Sequence, residues 1–129
     1  MGNDTTRQER AADYVIGMLM GVKYIRYFQI GYLADLYLLR GQHRLYLYEW
    51  DTVLEDYNTA LELAPNLPRA YYLRGLLYYT QNSRQAAYAD LTTFLALEAN
   101  TPTAHPDLIT HAEAYVAELT DLLATPPAG

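Results

Sequence analysis

The tripeptide Leu39-Arg40-Gly41 returns as Leu73-Arg74-Gly75, 34 residues further along the chain. The register then holds, with Asp56 answered by Asp90, Leu61 by Leu95, Leu63 by Leu97 and Asn66 by Asn100. Two segments that keep one spacing over so many positions are copies of one supersecondary unit, which buries its apolar face by stacking on a neighbour. The doubled stretch from Tyr37 to Asn100 constrains the fold more than any other, and the rest of the chain is read outward from it.

Apolar residues recur at three- and four-residue spacing along most of the chain, the period of one face of an α-helix. Upstream of the repeat, Ala11, Tyr14, Val15, Met18, Leu19, Val22 and Ile25 give one stripe of an N-terminal helix over 6–30. Thr6 and Glu9 stand at capping-box spacing at its start. Gly17 and Gly21, four apart, predict a close backbone crossing, and Gly31 predicts a break before the next helix. Leu33 to Leu47 and Trp50 to Ala64 read as the helix pair of the first copy, 34–67, with Val53, Leu54, Tyr57, Leu61 and Ala64 on the buried face of the second. Pro65 closes that helix and Pro68 opens the next, where a missing N–H costs nothing. Arg69 to Gln81 and Arg84 to Ala99 form the second copy, 68–101. Past a Pro-containing connector, Asp107 to Leu123 (107–123) is a last amphipathic helix with Leu108, Ala112, Tyr115, Val116, Leu119 and Leu122 inside; 124–129 is a Pro/Gly tail. The expected fold is all-α, one helical domain over 1–129.

The two copies resemble the tetratricopeptide repeat, a helix-turn-helix unit of 34 residues. The resemblance is carried by Tyr37 and Tyr71 at the early aromatic place, Gly41 and Gly75 at the small crossing point, and Tyr78 at the later aromatic. Ala87 and Ala60 match small places on the second helix and Pro65 the closing proline. It covers 34–101 and implies an α-solenoid. Because about three repeats are needed for stability, the N-terminal helix and the helix 107–123 are expected to cap the stack. Val53 stands where the family has Ala, Arg44 where it has an aromatic, and Phe94 where it has Ala, so helix spacing or packing should shift. Arg40 and Arg74 replace the usual Leu, while Asp56 and Asp90 lie on the second helices. These four residues are expected to form ion pairs between helices, within or between repeats.

Composition narrows the function. The chain has no cysteine, which excludes disulfides, thiolate metal sites and a cysteine nucleophile. Met1 to Asp13 lacks the pattern of a signal peptide. The longest apolar run, Tyr14 to Val22, is shorter than the ~20 residues a membrane helix needs. A cytoplasmic location is the expectation. His105, Asp107 and His111 lie close in sequence, but three such residues without a fuller ligand set do not make a metal site. His43 has no partner motif, and no phosphate loop, nucleophile elbow or zinc helix occurs. Glu55 and Asp56 diverge on their helix instead of facing each other as an acid/base couple. The chain is read as a non-enzyme with no cofactor and no metal.

In the resembled family, first helices line a concave groove that grips a peptide or a partner helix. Carried onto this sequence, the groove comprises Asp35, Leu38, Gln42, Leu45 and Tyr46, then Arg69, Tyr72, Leu76, Tyr79 and Thr80. Members that clamp a C-terminal carboxylate use Lys, Asn and Arg there; Leu38, Tyr72 and Leu76 make this surface apolar and aromatic instead. It suits a protein or peptide partner with an amphipathic helix or hydrophobic segment, with tyrosines as anchors. The 14 tyrosines, against 2 Phe and 1 Trp, fit that use. The leading expectation is an adaptor or accessory subunit. Residues 1 to 50 carry six bases and five acids and the remainder three bases and ten acids. An alternative is therefore a homo-oligomer, a ring or filament assembled head to tail. A second alternative is a membrane-surface module through residues 23–32, where Lys23 and Arg26 alternate with aromatics. With a net charge of −6, no nucleic-acid partner is expected.

Overall fold

A computed structural model describes residues 4–21, 27–100 and 105–124. Every element in it is an α-helix: α1 (Asp4–Gly21), α2 (Tyr27–Tyr46), α3 (Trp50–Leu63), α4 (Pro68–Thr80), α5 (Arg84–Ala99) and α6 (Pro106–Ala124). The fold class is all-α and built of helix-turn-helix repeats. The chain divides into two compact units, Met1–Pro65 and Asn66–Gly129, with the boundary inside the Pro-Asn-Leu-Pro connector. Where the repeat led to the expectation of one domain, each unit holds three helices, α1 to α3 in the first and α4 to α6 in the second.

In the first unit, α2 is the central helix and packs on both α1 and α3. Ile16 of α1 meets Leu33 and Leu36 of α2, with Tyr37 and Leu63 against them. Gly41 sets the approach of α3, because a Cβ there would lie 2.6 Å from Cε1 of Tyr57 and 3.3 Å from Cβ of Asp56. Two features differ from the sequence reading. Gly31 lies inside α2, not between helices; one glycine in an otherwise apolar-periodic run lowers helix stability by about 1 kcal/mol, too little to break a packed helix. A Cβ at Gly17 would meet nothing within 4 Å, so no backbone of the described residues crosses there. Thr6 lies within the first turn of α1, and Glu9 accepts a hydrogen bond from Arg44.

In the second unit, α5 is central, packing on α4 and α6. Its core comprises Tyr72, Ala87, Leu91, Phe94, Ala112 and Leu119. Pro68 occupies the first turn of α4, where its fixed φ suits a helix start. A Cβ at Gly75 would lie 2.9 Å from Cγ of Leu91 and 3.3 Å from Cβ of Asp90, the same close approach as in the first copy.

Candidate interaction surface

The four charged residues of the repeat meet inside their own copies. In the first, Arg40 donates from Nη2 to Oδ1 of Asp56 at 2.7 Å and from Nε to Oδ2 at 3.1 Å. In the second, Arg74 donates from Nε to Oδ2 of Asp90 at 2.7 Å and from Nη2 to Oδ1 at 2.8 Å. Such two-pronged pairs fix a planar guanidinium against a carboxylate and align the two helices of a copy. Arg40 lies 5.2 Å from the Tyr37 ring centroid, and Arg74 lies 5.7 and 5.8 Å from those of Tyr71 and Tyr78. The repeat's aromatic place therefore carries a cation on its π face.

The first copy extends this pair across three helices. Arg40 also bonds Asp13 of α1, while Arg44 donates to Oε1 of Glu9 at 2.9 Å and to Oδ2 of Asp56 at 3.2 Å. Asp56 is only 2% exposed. Its hydrogen bond to Asp56 holds the Arg40 guanidinium above its ordinary pKa, and Asp90 does the same for Arg74. Burial pushes the Asp56 carboxyl up, against the downward pull of Arg40 and Arg44. These groups tie the helices of each copy together.

The residues assigned to a partner groove divide by exposure. Leu38 is 1% exposed and Tyr72 6%, so both are core residues and neither can anchor a partner. Burial raises the Tyr72 phenol, whose ring lies 5.2 Å from that of Phe94. The reason is local: position 72 faces the α5–α6 core, which only the tertiary arrangement supplies. Leu76 and Tyr79 are half-buried against that core. The Tyr79 ring packs edge-on to Tyr115 at 4.7 Å and its hydroxyl donates to Glu118 at 2.8 Å, so it fastens α6 to α4. Gln42 is half-buried, while Asp35, Leu45, Tyr46, Arg69 and Thr80 reach solvent.

The sequence reading missed a cleft of about 430 Å³ between α1 and α2, lined by Ala11, Ala12, Val15, Leu36 and Leu39, with Gln8 and His43 at its polar edge. Buried Nδ1 of His43 has no hydrogen-bond partner among the described residues. The spacing of Leu36, Leu39 and His43 along one helical face was the available signal, but it does not say which faces are left uncovered.

His105, Asp107 and His111 are exposed, and among the described residues no group of three His, Cys, Asp or Glu could hold a metal ion. No described helix is long and apolar enough to cross a membrane. Lys23 and Arg26 lie outside the described residues.

Comparison with known proteins fits this geometry. No curated protein matches the sequence. Among solved structures, the chain is similar to PcrH in the crystal structure of PcrH in complex with the chaperone binding region of PopD. The TM-score is 0.63 and the identity 21%, over 95% of this chain and 96% of that one. A family model described as tetratricopeptide repeat matches residues 41–107, just over half the chain. With paired helices in a 34-residue register and a glycine at each crossing, the chain belongs to the tetratricopeptide repeat family.

Proposed function

We propose that this chain is a non-catalytic protein–protein interaction module, an adaptor or accessory subunit that holds an amphipathic helix or hydrophobic segment of a partner. The observation that supports it most directly is the repeat itself. Its family match spans 41–107, and a protein of similar fold was crystallised with a segment of another protein, the chaperone binding region of PopD. Within the first unit, Leu45 and Tyr46 occupy first-helix positions at the surface and Gln42 is half-buried beside them in sequence; within the second, Arg69 is exposed and Leu76 and Tyr79 partly so. Leu38 and Tyr72 hold these positions from inside. Exposed apolar and tyrosine side chains of this kind are where interfaces concentrate their binding energy.

Affinity capture with the whole chain tests the reading, using Gln42→Ser/Leu45→Ser/Tyr46→Ser as the control. The wild type should retain a partner that the triple variant loses, with circular dichroism showing the variant folded. Equal retention by both places the interface elsewhere. Light scattering over a salt series separates self-assembly, since a salt-sensitive large species identifies the partner as a second copy.

A further inference from the structure

The turn between α2 and α3 differs from its counterpart between α4 and α5 in a way the fold does not require. Residues 45–50 read Leu-Tyr-Leu-Tyr-Glu-Trp, whereas the equivalent 79–84 read Tyr-Thr-Gln-Asn-Ser-Arg. Both turns pass through one residue with left-handed φ: Tyr48 at 58° and Asn82 at 61°. Asparagine adopts that conformation readily, and a bulky side chain does so only with strain. A strained residue held at the surface is retained for something other than packing.

Tyr46 and Tyr48 are 75% and 76% exposed, so these two rings add little to the core, and Trp50 keeps 37% of its surface open. The rings of Tyr48 and Trp50 pack edge-on, 6.1 Å apart, which presents them as one surface. The charge along this stretch of the chain has one sign. From Leu45 to Pro68 there are five acids and no base. Glu49 and Asp51, the sequence neighbours of Tyr48 and Trp50, are exposed, and so is Glu55 further along α3. Of the bases on the adjoining helices, Arg40 and Arg44 are held in ion pairs, and Arg7 and Arg10 stand exposed on α1.

We propose that this turn is a docking surface for a basic, amphipathic segment of a partner protein, whose apolar residues pack on Tyr46, Tyr48 and Trp50 while its Lys or Arg side chains meet Glu49, Asp51 and Glu55. It rests on the reading of the chain as an interaction module and narrows that reading to a place and a charge. Cationic side chains gain twice here, from the carboxylates and from the π faces of the rings. Tyr and Trp also suit a lipid headgroup region, but the acids beside them repel anionic lipid.

Trp50 is the chain's one tryptophan and reports directly on the surface. The whole protein is titrated with a helical peptide of Leu and Lys, with a matched peptide of Leu and Glu, and with phosphatidylcholine vesicles. The Leu/Lys peptide should shift Trp50 emission saturably and the Leu/Glu peptide should not. Affinity should fall about tenfold in Tyr48→Asn, a variant that installs the residue the second turn already uses, and should weaken as salt rises. A Leu/Lys peptide that binds by calorimetry without changing Trp50, and equally well to Tyr48→Asn, overturns this surface and leaves the module reading intact. Equal responses to both peptides, or to neither, overturn the charge assignment. A larger response to vesicles than to peptide moves the site to a lipid surface and overturns the protein partner.

Discussion

The two copies of the repeat solve one packing problem with side chains displaced by one helical turn. The first fills the space beneath its crossing glycine with Tyr57 and leaves Ala60 small; the second puts Leu91 beneath the glycine and Phe94 one turn on. All four are buried. Val53 and Ala87 differ in the opposite sense to Ala60 and Phe94, so volume added at one level is removed at another. Cores tolerate such exchanges when total volume is kept. The expectation that Val53 and Phe94 would disturb the packing is met by compensation within each helix.

The charged layer differs more. Arg74 has one carboxylate partner shown, Asp90, and two tyrosine rings, whereas Arg40 and Arg44 share Asp56 and reach Asp13 and Glu9 on α1. The change of Tyr78 to Arg44 at the equivalent place lets the first copy recruit a preceding helix through ions. The second recruits a following helix through rings, by way of Tyr79 and Tyr115. One repeat pattern therefore accepts an extra helix on either side, and the side chains at two or three positions decide which.

The largest expected effect comes from removing the displaced ring. Phe94→Ala should cost about 3–5 kcal/mol by leaving a cavity in the second unit's core. In a thermal melt followed by hydrogen exchange, protection should be lost first in α4, α5 and α6. Equal loss in all six helices would break the assignment of Phe94 to the second unit's core.

Next, Asp56→Asn should destabilise by about 3 kcal/mol, since it removes the buried charge that Arg40 and Arg44 share. Asp90→Asn, which removes the carboxylate charge opposite the partly exposed Arg74, should cost about 1–2 kcal/mol. Urea unfolding of the two variants measures the difference, and equal losses would show that the Arg44 arm contributes nothing.

The smallest effect is on pH. The Tyr72 phenol is raised above the ordinary value of 10.0 by burial. The folded state therefore holds its proton more tightly than the unfolded one, and the associated stability is intact below that value and lost as pH rises through the folded value. Urea midpoints measured from neutral to alkaline pH should decline in that window, and Tyr72→Phe should flatten the decline. A decline of the same slope in Tyr72→Phe would assign it to other tyrosines.

The repeat was legible because a 34-residue register needs only matched positions, and Gly41, Gly75 and the Arg–Asp pairs lie on it. Helix limits were less so. Gly31 reads as a break from sequence, but the packing of Leu33 and Leu36 on Ile16 carries α2 through it. The groove assignment followed helical position alone. It could not separate Leu38 and Tyr72, which point inward, from Leu45 and Tyr46, which do not, because exposure depends on which other helix covers a face.

The sequence by itself determined that the chain is helical, that it repeats, and that each copy carries a glycine at its crossing point and an arginine and an aspartate at matched positions. Those are local or periodic properties, written in the spacing of a few residue types. Only the tertiary structure decided that the ion pairs close within copies, that α1 is tied in by Arg40 and Arg44, and that aromatic residues at the α2–α3 turn stay uncovered. Each depends on residues far apart in sequence meeting in space, and no spacing along the chain encodes which of two equivalent faces a third helix will cover.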